Sequence, residues 1–199
     1  MLRWQTVAVA YALLGSLACA LAVALRDGSP LSHPEPWLTL DPSVRIGTSL
    51  LLGLALAVFL VTSTRIAVGR WAWAQKLHSD LRPVAKNLTV PSVVIIAVLS
   101  SLGEELFFRG FLTPLLGVVP QAILFGLAHQ VSGRSRWVWI TWASLVGLCL
   151  GSIFVLTGSL IGPVAAHGLV NGYNLMFLRS HDPAAKERRL GGLLAPSDV

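Results

Sequence analysis

Ser101-Leu102-Gly103-Glu104-Glu105-Leu106-Phe107-Phe108-Arg109-Gly110-Phe111 sets two adjacent carboxylates and an arginine inside an otherwise apolar run. An ionised side chain in hydrocarbon is costly, so such residues persist mainly where they face a polar cavity and have partners. On a helix, Glu105 and Arg109 are four residues apart and share a face, whereas Glu104 points about 100° away from Glu105. One glutamate is thus expected to be neutralised by Arg109 and the other to remain available for chemistry. The alternative is a helix end at the membrane interface, with both carboxylates solvated and Arg109 snorkelling.

The rest of the chain supplies the membrane. The 199 residues are 54% hydrophobic and 12% charged, with a mean hydropathy of +0.71, a composition outside the soluble globular range. The reading is an all-α polytopic membrane helix bundle of about six spans, at about 20 residues each. The net charge of +6 does not point to nucleic acid, because the lysines and arginines fall between the apolar runs, where orientation signals belong. Cys19 and Cys149 lie within apolar runs without ligand spacing, which argues against a disulfide framework and for small packing residues. The apolar run from Trp4 to Leu25 is longer than a signal-peptide core, so a retained first span is expected.

Span one is read over Trp4 to Leu25 and is followed by a polar loop, Arg26 to Arg45, holding four prolines, three acids and two arginines. Span two covers roughly Ile46 to Val61. The following Arg65, Arg70, Lys76, Arg82 and Lys86, with Trp71 and Trp73 among them, suit an interfacial amphipathic helix or a solvated connector. Span three opens near Val90 and Pro91 and should kink at Pro114. Span four runs from Gln121 to His129, span five from Trp137 to Leu156 and span six from Leu160 to Leu178. Residues 1–89 are thus two N-terminal spans and a basic connector, 90–178 a helical core, and 179–199 a basic, mobile tail. The Arg65 to Lys86 segment, the Arg134 to Arg136 turn and the tail all choose one side, which predicts both termini cytoplasmic.

Beyond Val90 the strongly polar members of the apolar half are Glu104, Glu105, Arg109, His129, His167 and Asn171. With a hairpin turn near Gly117, Glu104 and His129 each lie about 19 Å below it on antiparallel neighbours, while His167 and Asn171 share a face roughly 12 and 18 Å below a turn at Ser159. A single site can collect all four. Taken singly, either histidine reads equally as a helix cap or a packing hydrogen bonder, and Asn171 as glue between helices. His33, His78 and His181 sit in connectors and are read as incidental. Together, a carboxylate and an imidazole sharing a water can deprotonate it for attack on a carbonyl, and a second histidine with an amide can stabilise the oxyanion. A serine mechanism has less support without a Gly-x-Ser-x-Gly elbow, although Ser100, Ser101 and Ser159 keep it open. A zinc site with Glu104, His129 and His167 as ligands also stays open, although no His-Glu-x-x-His stretch is present; the metal-free version, with no cofactor, is favoured. Buried carboxylates and histidines also build proton relays, so a proton-coupled transporter is the rival reading.

Glu104-Glu105-x-x-x-Arg109, Phe125-x-x-x-His129, and His167-x-x-x-Asn171 after a Gly-Ser-Leu turn and a proline resemble the motif series of the CPBP intramembrane proteases, also called the CAAX-protease and bacteriocin-processing or Abi family, which includes the Rce-type endopeptidases. The resemblance covers about Val90 to Phe177. It implies Glu104 and His129 as the water-activating pair of a glutamic-type protease, His167 with Asn171 as the oxyanion hole, and Glu105 with Arg109 as a structural ion pair beside them. The implied partner is a membrane-anchored protein or peptide in the lipid bilayer, such as one bearing a C-terminal sorting tail, and the implied setting a bacterial inner membrane. Some relatives in the family are thought to act as non-proteolytic scaffolds or regulators, a second alternative that has no need of all four groups.

Overall fold

The computed structural model describes residues 4–26, 28–131 and 133–183. Among these the fold is all-α, with seven helices and a single isolated bridge between Ser32 and Ser159. The helices are α1 (Trp4–Arg26), α2 (Pro42–Arg70), α3 (Ala72–Ala85), α4 (Val90–Leu116), α5 (Val118–Ala128), α6 (Arg136–Thr157) and α7 (Ile161–Ser180). α1, α2, α4 and α6 are long and apolar enough to cross a membrane.

Two sets of contacts define two faces of the bundle. On one, the loop after α1 lies against the α6–α7 turn: His33 N–H donates to Gly158 O at 3.1 Å and Leu160 N–H to Leu31 O at 3.1 Å. On the other, Ser135 Oγ–H donates to Asp80 Oδ2 at 2.6 Å, and His78 Nε2–H to His181 O at 3.0 Å, gathering α3, the α5–α6 turn and the end of α7. Six helices therefore run between the two faces, as the sequence predicts, yet two of them fall short as spans by length or composition. α5 has 11 residues, about 16 Å, and reaches only part-way before His129 turns the backbone away from helical angles at φ −88°, ψ 87°. α7 has 20 residues but carries His167, Asn171 and Asn174.

Span two is longer than expected, 29 residues from Pro42 to Arg70. The polar Ser63 and Thr64 do not end it, because their hydroxyls donate back to Phe59 O and Leu60 O at 2.7 and 2.8 Å. Arg65 and Arg70 thus belong to α2, and the amphipathic helix proper begins after the extended Trp71. α3 buries Ala74, Leu77, His78 and Ala85 and leaves Lys76 exposed. α2 and α7 cross at backbone contact: a Cβ at Gly53 would overlap Gly162 O, and one at Gly162 would overlap Ser49 O.

The kink predicted at Pro114 takes another form. α4 is π-helical from Glu105 to Leu112, and Thr113 N–H reaches back five residues to Phe108 O. Pro114 cannot donate to Gly110 O, and that carbonyl instead accepts from the Arg26 guanidinium at the end of α1. Gly110 also lets the chain pass close, since a Cβ there would lie 2.6 Å from Pro30 O.

Three further expectations are revised. His78 is 4% exposed and packs its ring edge-on to Phe177 at 4.8 Å, and His33 packs on Phe154 at 5.4 Å, so neither is incidental. Cys149 is exposed on α6 rather than packed inside. The tail expected from Arg179 begins as the ordered end of α7, and 184–199 of that call lie outside the described residues.

Candidate active site

α4, α5 and α7 each bring part of the site, and the π-helical turn sets its register. A π turn advances the chain by fewer degrees per residue than an α turn, which re-aims successive side chains, and such segments recur at functional sites. Here it begins at Glu105. Glu105 and Arg109 are both fully buried, and Arg109 Nη1 donates to Glu105 Oε1 at 2.7 Å. Arg109 Nη2 donates to Gly147 O of α6 at 3.3 Å, beside Gln121 Nε2, which donates to the same carbonyl at 3.2 Å. The guanidinium lies over the Phe125 ring, 4.2 Å from its centroid.

Glu105 is more than the partner of Arg109. Its Oε1 also accepts from His167 Nδ1 at 2.7 Å, so the ion pair expected beside the site is part of it. The other nitrogen of that ring, His167 Nε2, lies 3.8 Å from Glu104 Oε2. His129 Nε2 lies 3.7 Å from the same oxygen, and His129 Nδ1 bonds Phe125 O at 2.8 Å. Three side chains from three helices, Glu104, His129 and His167, therefore converge on one point. Phe125 stands between the two imidazoles, its ring 4.5 Å from His129 and 5.8 Å from His167.

These contacts fix the proton positions. A carbonyl and a carboxylate can only accept, so both Nδ1 atoms carry hydrogen, and a neutral ring of either histidine presents a lone pair at Nε2. Asn171 stands one turn beyond His167, and its Nδ2 donates to Ser100 Oγ of α4 at 3.0 Å. An amide nitrogen has a second hydrogen, which that bond does not use. The Ser100 and Ser101 hydroxyls donate to Ala97 O and Val98 O, and neither is bonded to an imidazole.

A cavity of about 900 Å³ reaches the site and is lined there by Tyr11, Ser100, Phe125, His129, His167 and Asn171. Its far end meets Leu81 and Val84 of α3, so it extends toward the face where the basic segments gather. His129 is 24% exposed, while Glu104 is 6% exposed and its Oε2 is buried without a hydrogen-bond partner. Among the described residues no group of three His, Cys, Asp or Glu side chains is arranged to hold a metal ion.

Sequence reading missed two contributors, Ser100 as the partner of Asn171 and Tyr11 of α1, which lines the same cavity. α1 reaches the site because it crosses α4 at small residues: a Cβ at Gly15 would stand 3.4 Å from Gly103 Cα.

The family model described as Type II CAAX prenyl endopeptidase Rce1-like matches residues 86–173, the segment that holds all six candidate side chains. The chain is also 24% identical over 122 residues to the Uncharacterized protein YpbD of Bacillus subtilis (strain 168), a match covering 60% of this chain and 63% of that relative. No solved structure matches the chain. Four helices long and apolar enough to cross a membrane, together with the Rce1-like match over 86–173, point to an integral membrane protein.

Proposed function

We propose that the chain is an intramembrane endopeptidase that hydrolyses a peptide bond of a membrane-anchored protein or peptide, using water activated by Glu104 and His129. The observation that carries the reading is the convergence of His129 Nε2 and His167 Nε2 on Glu104 Oε2, at 3.7 and 3.8 Å. A water held by Glu104 and His129 gives one proton to Glu104 as its oxygen attacks the scissile carbonyl, while its other O–H stays hydrogen-bonded to His129 Nε2.

The oxyanion then needs donors. His167 gives its Nδ1 hydrogen to Glu105, so it donates from Nε2 only as the imidazolium, a charge that the Glu105 carboxylate balances. The free amide hydrogen of Asn171 is the second donor. Collapse of the tetrahedral intermediate expels the amine, which takes its proton from the Glu104 carboxyl. The water is thus consumed, one proton ending on the new amine and the products being an acid and an amine.

The reading is metal-free and rests on glutamate chemistry. A largely apolar cavity entered from the α3 face suits a substrate presented at the cytoplasmic surface of a bacterial inner membrane, for example a peptide with a C-terminal sorting tail. The lysines and arginines on that face support the orientation by the positive-inside rule.

The test uses purified protein in liposomes with a membrane-anchored peptide, comparing wild type with Glu104→Gln, each with and without chelator. Wild type is expected to cleave in both conditions, and Glu104→Gln to lose roughly 10²–10⁴-fold in rate. Undiminished cleavage by Glu104→Gln would refute the glutamate mechanism, and loss of wild-type cleavage under chelation would refute the metal-free reading.

A further inference from the structure

We infer that Tyr11 of α1 is a positioning residue for the proposed hydrolysis: its hydroxyl donates to the Glu104 carboxylate and holds the other carboxylate oxygen toward the two imidazoles. The inference rests on the proposed peptidase reading for its effect on rate and, for the contact, on the α1–α4 crossing and the shared cavity. α1 and α4 touch through backbone at this level. A Cβ at Gly103 would overlap the Tyr11 carbonyl oxygen, so the glycine just before Glu104 is what lets Tyr11 stand beside it. Tyr11 also lines the cavity together with His129, His167 and Asn171.

The carboxylate needs such a partner. Glu104 is nearly buried, and neither imidazole reaches normal hydrogen-bond distance of it, at 3.7 and 3.8 Å. Without a donor on its remaining side, the side chain is free to rotate and to present either oxygen to the reacting water. A phenol fixed by a helix crossing removes that freedom without competing for the water, because it brings one hydrogen and gives it to the carboxylate. This also gives α1 a part in the chemistry, although it lies outside the 86–173 segment shared with the family.

Tyr11→Phe keeps the ring and its packing and removes only the donor. In liposomes with the membrane-anchored peptide, kcat is expected to fall roughly 10- to 100-fold, the scale of one hydrogen bond to a charged group, with KM within about twofold of wild type. A residue that merely packs would leave kcat unchanged, and one that binds substrate would raise KM; either result overturns the inference.

Infrared difference spectra read the contact without activity. The Glu104 carboxylate band, assigned by subtracting Glu104→Gln from wild type, is expected to shift in the Tyr11→Phe background. If wild type cleaves no peptide and the band still shifts, the peptidase reading fails and the Tyr11 contact stands. An unmoved band overturns the contact whatever the kinetics.

Discussion

Arg109 is the largest fully buried side chain among the described residues, and its charge is balanced by a carboxylate that His167 shares. Removing one partner of a buried ion pair leaves the other charge uncompensated, at about 3–5 kcal/mol. Arg109→Gln is therefore expected to lower the melting temperature of the detergent-solubilised protein and its membrane yield sharply. Glu104→Gln should leave both near wild type, since Glu104 makes no charge-paired bond of normal length. Equal losses in the two variants would contradict this division of labour between adjacent glutamates. Six polar side chains of the site were legible in the sequence because charge and imidazole stand out in apolar runs, and their helical spacing limits which can meet. Tyr11 was not legible, because a single phenol on an apolar helix looks like any interfacial or packing aromatic. Nor was the second bond of Glu105, which depends on where α7 lies across α4 rather than on any spacing within one helix.

At the level of elements, glycines decide how closely helices approach, and the α2–α7 crossing fixes the start of the helix that carries His167. Gly162→Ala would force a methyl group into Ser49 O, whereas Gly69→Ala meets nothing within 4 Å. Overpacking of this kind costs about 1–3 kcal/mol, so Gly162→Ala is expected to lower the melting temperature and the peptidase rate together while Gly69→Ala changes neither. A thermal-shift and cleavage comparison of the two checks it. Docking of α3 on α7 carries its own pH dependence. Burial, the largest cause, holds the His78 imidazole below its ordinary value, with the Arg82 charge in the same direction and the His181 carbonyl and Asp182 opposing. A released α3 would take up the proton at about pH 6.5, before the docked one does, so docking weakens as pH falls through that range. Protection of the α3 amides, taken as the intrinsic over the observed exchange rate, should fall on acidification in wild type, and this loss should vanish in His78→Leu. The existence of α3 was legible from its tryptophans and basic residues, but its start was not, because Ser63 and Thr64 hide a continuing helix behind polar side chains.

For the whole molecule, the contacts that join loops on opposite sides fix an orientation test. Arg70, Lys76, Arg82, Lys86, Arg134 and Arg136 are on α3, at its flanks or at the turn bonded to it, whereas the described residues of the opposite face hold Arg26 and Arg45 with Glu35 and Asp41. A basic excess of this kind sets the cytoplasmic side, so α1 should enter from the cytoplasm and the chain should return there after α7. The even number of crossings survives although α5 has only 11 residues, because the backbone continues beyond its C-cap, His129, to the Ser135–Asp80 bond on the α3 face. That short helix and the polar residues of α7 are why hydropathy alone finds four spans among the six helices that run between the two faces. In a background with Cys19 and Cys149 replaced by serine, a cysteine at position 35 should react with a membrane-impermeant thiol reagent in intact cells. A cysteine at position 76 should react only after the membrane is opened, since Lys76 has an exposed side chain on the α3 face. Labelling of both positions from the same side would break the six-crossing arrangement. Labelling of position 76 alone would invert it, placing the entrance of the catalytic cavity outside the cell and its substrates with it.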